Sequence, residues 1–137
     1  MEKFISIIAI LLLVPLAPVT LTGCRGGPER VVFKTTSVTA ATVDRAIASW
    51  NSYIRVQRER GTPVSLEQEI RVKQAWEQYQ LALKAVTDAG AAYSRSRISD
   101  PDGATSALAV LDSASQVLGA SMASIVDLIA SFGITVY

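Results

Sequence analysis

The sequence predicts an all-α protein: a three-helix, up-down-up antiparallel bundle behind an N-terminal signal segment and a short tether. Three observations carry that prediction. Over three stretches, apolar residues recur at alternating spacings of three and four, the period of one helix face. Cap and stop residues separate those stretches. The one β-like run, Val31-Val32-Phe33-Lys34-Thr35-Thr36, has no partner strand elsewhere and is expected to pack along a helical surface.

The first helix is expected over about 38–60. Val43, Ile47, Trp50 and Ile54 fall on one face, Ser37 or Thr39 can cap the start, and Asp44 lies near it. Arg55, Arg58 and Arg60 gather at the end, where cations complement the helix dipole. Gly61 stands where a left-handed residue closes a helix, and Pro63 follows.

Ser65 and Gln68 have capping-box spacing and open a second helix over about 66–97. Its stripe is Val72, Trp76, Tyr79, Leu83, Val86, Gly90 and Tyr93, widened by Ala75, Ala82, Ala85, Ala89 and Ala92. Asp100 as N-cap and Pro101 as first helical residue begin a third helix over about 101–132. Leu108, Leu111, Ser115, Leu118, Met122, Ile125, Ile129 and Phe132 form its stripe, and Gly133 ends it. Short connections between three amphipathic helices favour the up-down-up arrangement.

The chain has 137 residues, half of them hydrophobic, with one cysteine and no histidine. That length allows a single small domain. Without histidine there is no histidine base, triad or metal ligand, and one cysteine makes neither an internal disulfide nor a zinc cluster. No cofactor or metal is expected. The net charge of +1 gives no reason to expect nucleic acid as a partner. It hides an asymmetry: residues 24–98 carry +5, and residues 99–137 carry four aspartates and no base. The simplest expectation is that the acidic third helix lies against the basic first two. The alternative is an exposed bipolar surface that docks a partner or stacks protomers.

The first residues have a different character. Phe4 to Val14 is apolar apart from Ser6, Lys3 precedes it, and small residues and prolines follow, as in a signal peptide. The stretch closes on Leu21-Thr22-Gly23-Cys24. This resembles the lipobox of bacterial lipoprotein precursors at all four positions. The resemblance implies a signal peptide over 1–23, cleavage before Cys24, and a diacylglycerol on the Cys24 sulfur with a further acyl chain on the new amino terminus. Such chains give lasting membrane anchorage at about 0.8 kcal/mol per buried methylene. In that family an aspartate after the cysteine retains the protein at the inner membrane. Arg25 stands there instead, so the resemblance implies the periplasmic face of the outer membrane in a host that has one. Residues 24–36 would be the lipidated cysteine and tether, and 37–137 the bundle.

No catalytic residues are expected. The mature chain has three lysines, no Ser-x-x-Lys pair, and Glu67, Glu69 and Glu77 interleaved with Arg71 and Lys73 as in solvated helical ion pairs. Trp50, Trp76, Tyr79 and Tyr93 lie on or beside the buried stripes, and Tyr53 is the one of these five aromatics expected to be exposed. Candidate contacts for a partner or for lipid headgroups are Tyr53, Arg55, Arg58 and Arg60. From Ser113 onward the only charge is Asp127, and Gly119 with Ala123 makes a small-xxx-small pair, so this stretch has the length to span a bilayer. Its three-four alternation and its serines favour a buried bundle helix.

The resulting expectation is a membrane-anchored lipoprotein, not an enzyme, whose helical bundle faces the periplasm or exterior. It would bind a protein partner or self-associate. The mature part is similar in style to small phage-encoded lipoproteins, which implies as an alternative a role in lysis or in excluding competing phages. A second alternative is a holin-like, membrane-active protein using the apolar C-terminal helix.

Overall fold

The computed structural model describes residues 27–136. The signal peptide, the lipobox residues Leu21, Thr22 and Gly23, and Cys24 lie outside the described residues. Three helices follow in order: α1 (Pro28–Glu59), α2 (Leu66–Ser99) and α3 (Pro101–Ser131). At 1.5 Å per residue, helices of 32, 34 and 31 residues make a rod roughly 45–50 Å long. No strand occurs among the described residues.

Contacts at known positions fix the directions. Gly90 of α2 faces Leu111 of α3, and Arg71 near the start of α2 reaches Phe132 at the end of α3. These two helices are therefore antiparallel. Trp50, late in α1, packs on the same Phe132, so α1 runs alongside α3 in the same direction. The packing of α2 on α3 is the most extensive in the bundle, and α1 leans on α3 more than on α2.

Local sequence sets the boundaries. Ser65 accepts the Gln68 backbone N–H, and the Gln68 side chain accepts the Ser65 backbone N–H, completing the capping box. Asp100 alone connects α2 to α3. Its carboxylate accepts the Gly103 N–H at 3.0 Å, and Pro101 fills the first turn. Gly61 and Gly133 take φ of +72° and +77°, conformations that a side chain would strain.

The start of the first helix is a correction. Helix α1 begins at Pro28, ten residues ahead of the expected 38, so Val31–Thr36 is helical and neither extended nor part of a tether. Gly27 is the N-cap, without a side-chain cap bond. Ser37 and Thr39 lie inside the helix, where their hydroxyls donate to the carbonyls of Phe33 (2.8 Å) and Thr36 (3.0 Å). Thr36 and Thr42 likewise bond back to Val32 and Val38. Those bonds absorb the hydroxyls that otherwise compete with the helical backbone. Packing supplies the rest: Val32 sits against the core and Thr39 is buried within it. Long-range burial thus overrides weak local propensity.

The expected stripes line the core. Val43 and Trp50 of α1, Val72, Tyr79, Val86 and Tyr93 of α2, and Leu111, Leu118, Ile125 and Ile129 of α3 are all buried. Ala46, Ala82 and Ala89 fill the gaps between larger side chains, whereas Ala85 is exposed. Beyond α3, Ile134 folds back into the core, and Val64 and Val136 pack against it.

Candidate interaction site at the far end of the bundle

Arg55, Arg58 and Arg60 lie on the last turns of α1, at the pole where α2 begins and α3 ends. From Pro28 to Arg55 the helix climbs roughly 40 Å. The cluster therefore stands at the opposite end of the rod from the point where the chain enters it. Contact with headgroups near the tether would require the rod to lie flat.

An aromatic cluster holds this pole together. Trp50 stacks with Tyr53 at 6.0 Å and 26°, and meets Phe132 at 5.5 Å and 41°. The Arg71 guanidinium sits 5.7 Å from the centre of the Phe132 ring, which ties α2 to the end of α3 by a cation–π contact. Arg58 pairs with Glu69 at 3.6 Å across the α1–α2 turn. Both partners are largely in water, so this pair fixes orientation more than it adds stability. Tyr53, expected to be the exposed one of the five Trp and Tyr residues on α1 and α2, is half-buried because its ring lies against Trp50.

Beside the cluster runs a shallow concavity of about 380 Å³, lined by Asn51, Ile54, Arg55, Arg58 and Glu59. These positions are spaced one and two turns apart, so one flank of α1 forms the groove. It offers the Arg55 guanidinium and that of Arg58, the latter paired with Glu69, beside Ile54 as its apolar residue and with the Glu59 carboxylate at its edge. That arrangement suits a carboxylate-bearing protein segment, because arginine pairs in a fork with carboxylates while its stem covers apolar surface. Arg60 stands just past it at the helix C-cap, exposed. The structure thus gathers Tyr53, Arg55, Arg58 and Arg60 at one pole; the sequence reading missed Asn51 and Ile54, whose spacing from Arg55 and Arg58 was visible.

The acidic α3 lies against the more basic α1 and α2, as the charge balance leads one to expect. The pair Arg58–Glu69 joins α1 to α2, while Lys73–Glu77 and Lys84–Asp88 are i,i+4 pairs within α2. On α3, Asp112 accepts from the Gln116 amide at 3.0 Å, and Asp102 and Asp127 are exposed.

One polar pair lies inside the core. Tyr79 is 2% exposed, and its hydroxyl makes no hydrogen bond; Thr39 lies beside it but donates its own proton to Thr36. Burial pushes the Tyr79 hydroxyl above its ordinary value of 10.0; Thr39 opposes that rise and the Asp44 charge adds to it. Among the described residues no group of acidic, cysteine or histidine side chains is arranged to hold a metal.

Helix α3 has the length and apolarity to cross a bilayer, with a mean hydropathy of 1.3 in its most apolar window, of which 17% is buried in the bundle. Its Leu111, Leu118, Ile125 and Ile129 nevertheless form the centre of the core. Gly119, half of the small-xxx-small pair, has no atom of another described helix within 4 Å of where a Cβ would stand. Among the described residues no neighbouring helix uses it for close approach. Compared with models of known families, with curated proteins and with solved structures, the chain matches none.

Proposed function

We propose that this protein is a lipid-anchored, non-enzymatic interaction module. Cys24 carries the acyl chains, the three-helix rod stands off the membrane, and the far pole presents Arg55 and Arg58 to a protein partner. The observation that carries the reading is Leu21-Thr22-Gly23-Cys24 at the end of an apolar run, four residues ahead of a helix that starts at Pro28. The anchor and the rod are nearly contiguous, which supports a spacer role. A rod of roughly 45–50 Å places its far pole well clear of headgroups. The outer membrane's periplasmic face is the proposed location, on the strength of Arg25.

Two substitutions test the two halves of this reading. Cys24→Ser is expected to release the protein from lipid-dependent membrane association. A photo-crosslinking residue at position 58 is expected to capture a partner that the same residue at Lys84, exposed midway along α2, does not. Equal capture at both positions, or none at 58, would sink the partner site.

The length and hydropathy of Pro101–Ser131 favour a second reading, in which α3 leaves the bundle and inserts in a membrane. Insertion would expose the core faces of α1 and α2 and place Asp127 in hydrocarbon, which costs about 2.5–3.5 kcal/mol. Carbonate-resistant membrane retention of the Cys24→Ser protein would favour it.

A further inference from the structure

We infer that the pole of the bundle nearest Cys24 rests on an anionic lipid surface, through two exposed apolar side chains set among cations. The inference builds on the lipoprotein reading and concerns how the rod meets the membrane.

Because α1 is parallel to α3 and antiparallel to α2, the start of α1 and the α2–α3 turn share one pole. Cys24 precedes Pro28 by four residues, a reach of at most about 14 Å in extended chain. A lipidated Cys24 therefore holds this pole at the bilayer surface.

The pole has the chemistry for that position. Ile98 is 84% exposed and Phe33 75%, more than any other large hydrophobic side chain described. Each has cations close by in sequence: Arg95 and Arg97 precede Ile98, and Arg30 and Lys34 bracket Phe33, all exposed. Apolar tips enter the interfacial layer while guanidinium and ammonium groups meet lipid phosphates at its edge. The acidic residues here are Glu29, Asp100 and Asp102. Asp100 is engaged on the Gly103 N–H, and Asp102 sits in the first turn of α3, where the helix field favours it. The far pole also exposes apolar side chains, Leu66 and Ile70 beside Glu67 and Glu69, together with Arg55, Arg58, Arg60 and Arg71, so it is the short reach from Cys24, and not net charge, that selects the near pole.

The test uses the full chain, processed in a bacterial host and reconstituted into vesicles of phosphatidylcholine with or without phosphatidylglycerol. A fluorophore is attached at Ile98→Cys or at Leu66→Cys, and quenching by lipids bearing a headgroup nitroxide is measured. The label at 98 is expected to be quenched several-fold more than the label at 66. Arg30→Glu with Arg95→Glu is expected to remove most of that difference in vesicles containing phosphatidylglycerol, with circular dichroism unchanged. A lipidated Cys24 with no quenching at 98, or with equal quenching at both positions, overturns the inference alone. Burial of the label at 98 that disappears on diluting the protein among vesicles also overturns it, by assigning this pole to a second copy. An unmodified Cys24 thiol, read by mass spectrometry of the same sample, overturns the lipoprotein reading and this inference together.

Discussion

Leu118 and Val117 are neighbours in sequence with opposite surroundings, and replacing each by alanine separates a bundle helix from a lipid-facing one. Leu118 is fully buried, and the positions one heptad away on either side, Leu111 and Ile125, are buried as well. Removing three carbons there leaves a void that a rigid helical seam cannot close. Such substitutions cost about 2–5 kcal/mol, and poor relaxation places this one in the upper half of that range. For a domain of this size, about 3.5–5 kcal/mol lowers Tm by roughly 14–25 °C. Val117 is 55% exposed, and its truncation is expected to shift stability by at most about 0.5 kcal/mol. Thermal unfolding followed by circular dichroism, with Trp50 and Trp76 fluorescence in urea as a second probe, measures both variants. Equal effects of Leu118→Ala and Val117→Ala would refute the assignment of α3 to the core.

Further outcomes follow from Tyr79 and from three glycines. Tyr79→Phe removes a buried hydroxyl that has no hydrogen bond, so it is expected to be neutral or to stabilise by up to about 1 kcal/mol at neutral pH. Because folding raises the Tyr79 pKa, the wild-type protein keeps that contribution below pH 10 and loses it as pH rises further; urea titrations are expected to show a steeper alkaline loss than in Tyr79→Phe. Gly119→Ala, in open space on α3, is expected to stabilise by about 0.5–1 kcal/mol, whereas a Cβ at Gly103 meets the Asp100 carboxylate and Gly103→Ala is expected to lose the cap without net gain. Gly61→Ala, at φ +72°, is expected to cost about 1–2 kcal/mol by thermal melts, with Gly61→Asn milder.

Helices α2 and α3 were legible because each has a strong local start signal followed by a long apolar period. The capping box at Ser65 and the Asp100-Pro101 start place their first residues correctly, and the end points differ from expectation by two residues and one. The early part of α1 was not legible. Val31, Val32, Thr35 and Thr36 have low helix propensity, and Gly27-Pro28 serves as a helix start as readily as a tether. Only the packing of Val32 and Thr39 against the other helices decides between them, and that contact spans dozens of residues in sequence. Alternation within α1 continues back through Thr39 and Thr36, but polar residue types hide it from an apolar count. The arginine site was half legible: the residues were named, yet their distance from the anchor follows only from the length of α1.

The most direct test of the account is the mass of the N-terminal peptide of the protein isolated from membranes. The expected mature chain begins at Cys24 and carries a diacylglycerol thioether on its sulfur. An intact Met1 together with a free Cys24 thiol in that fraction would contradict it.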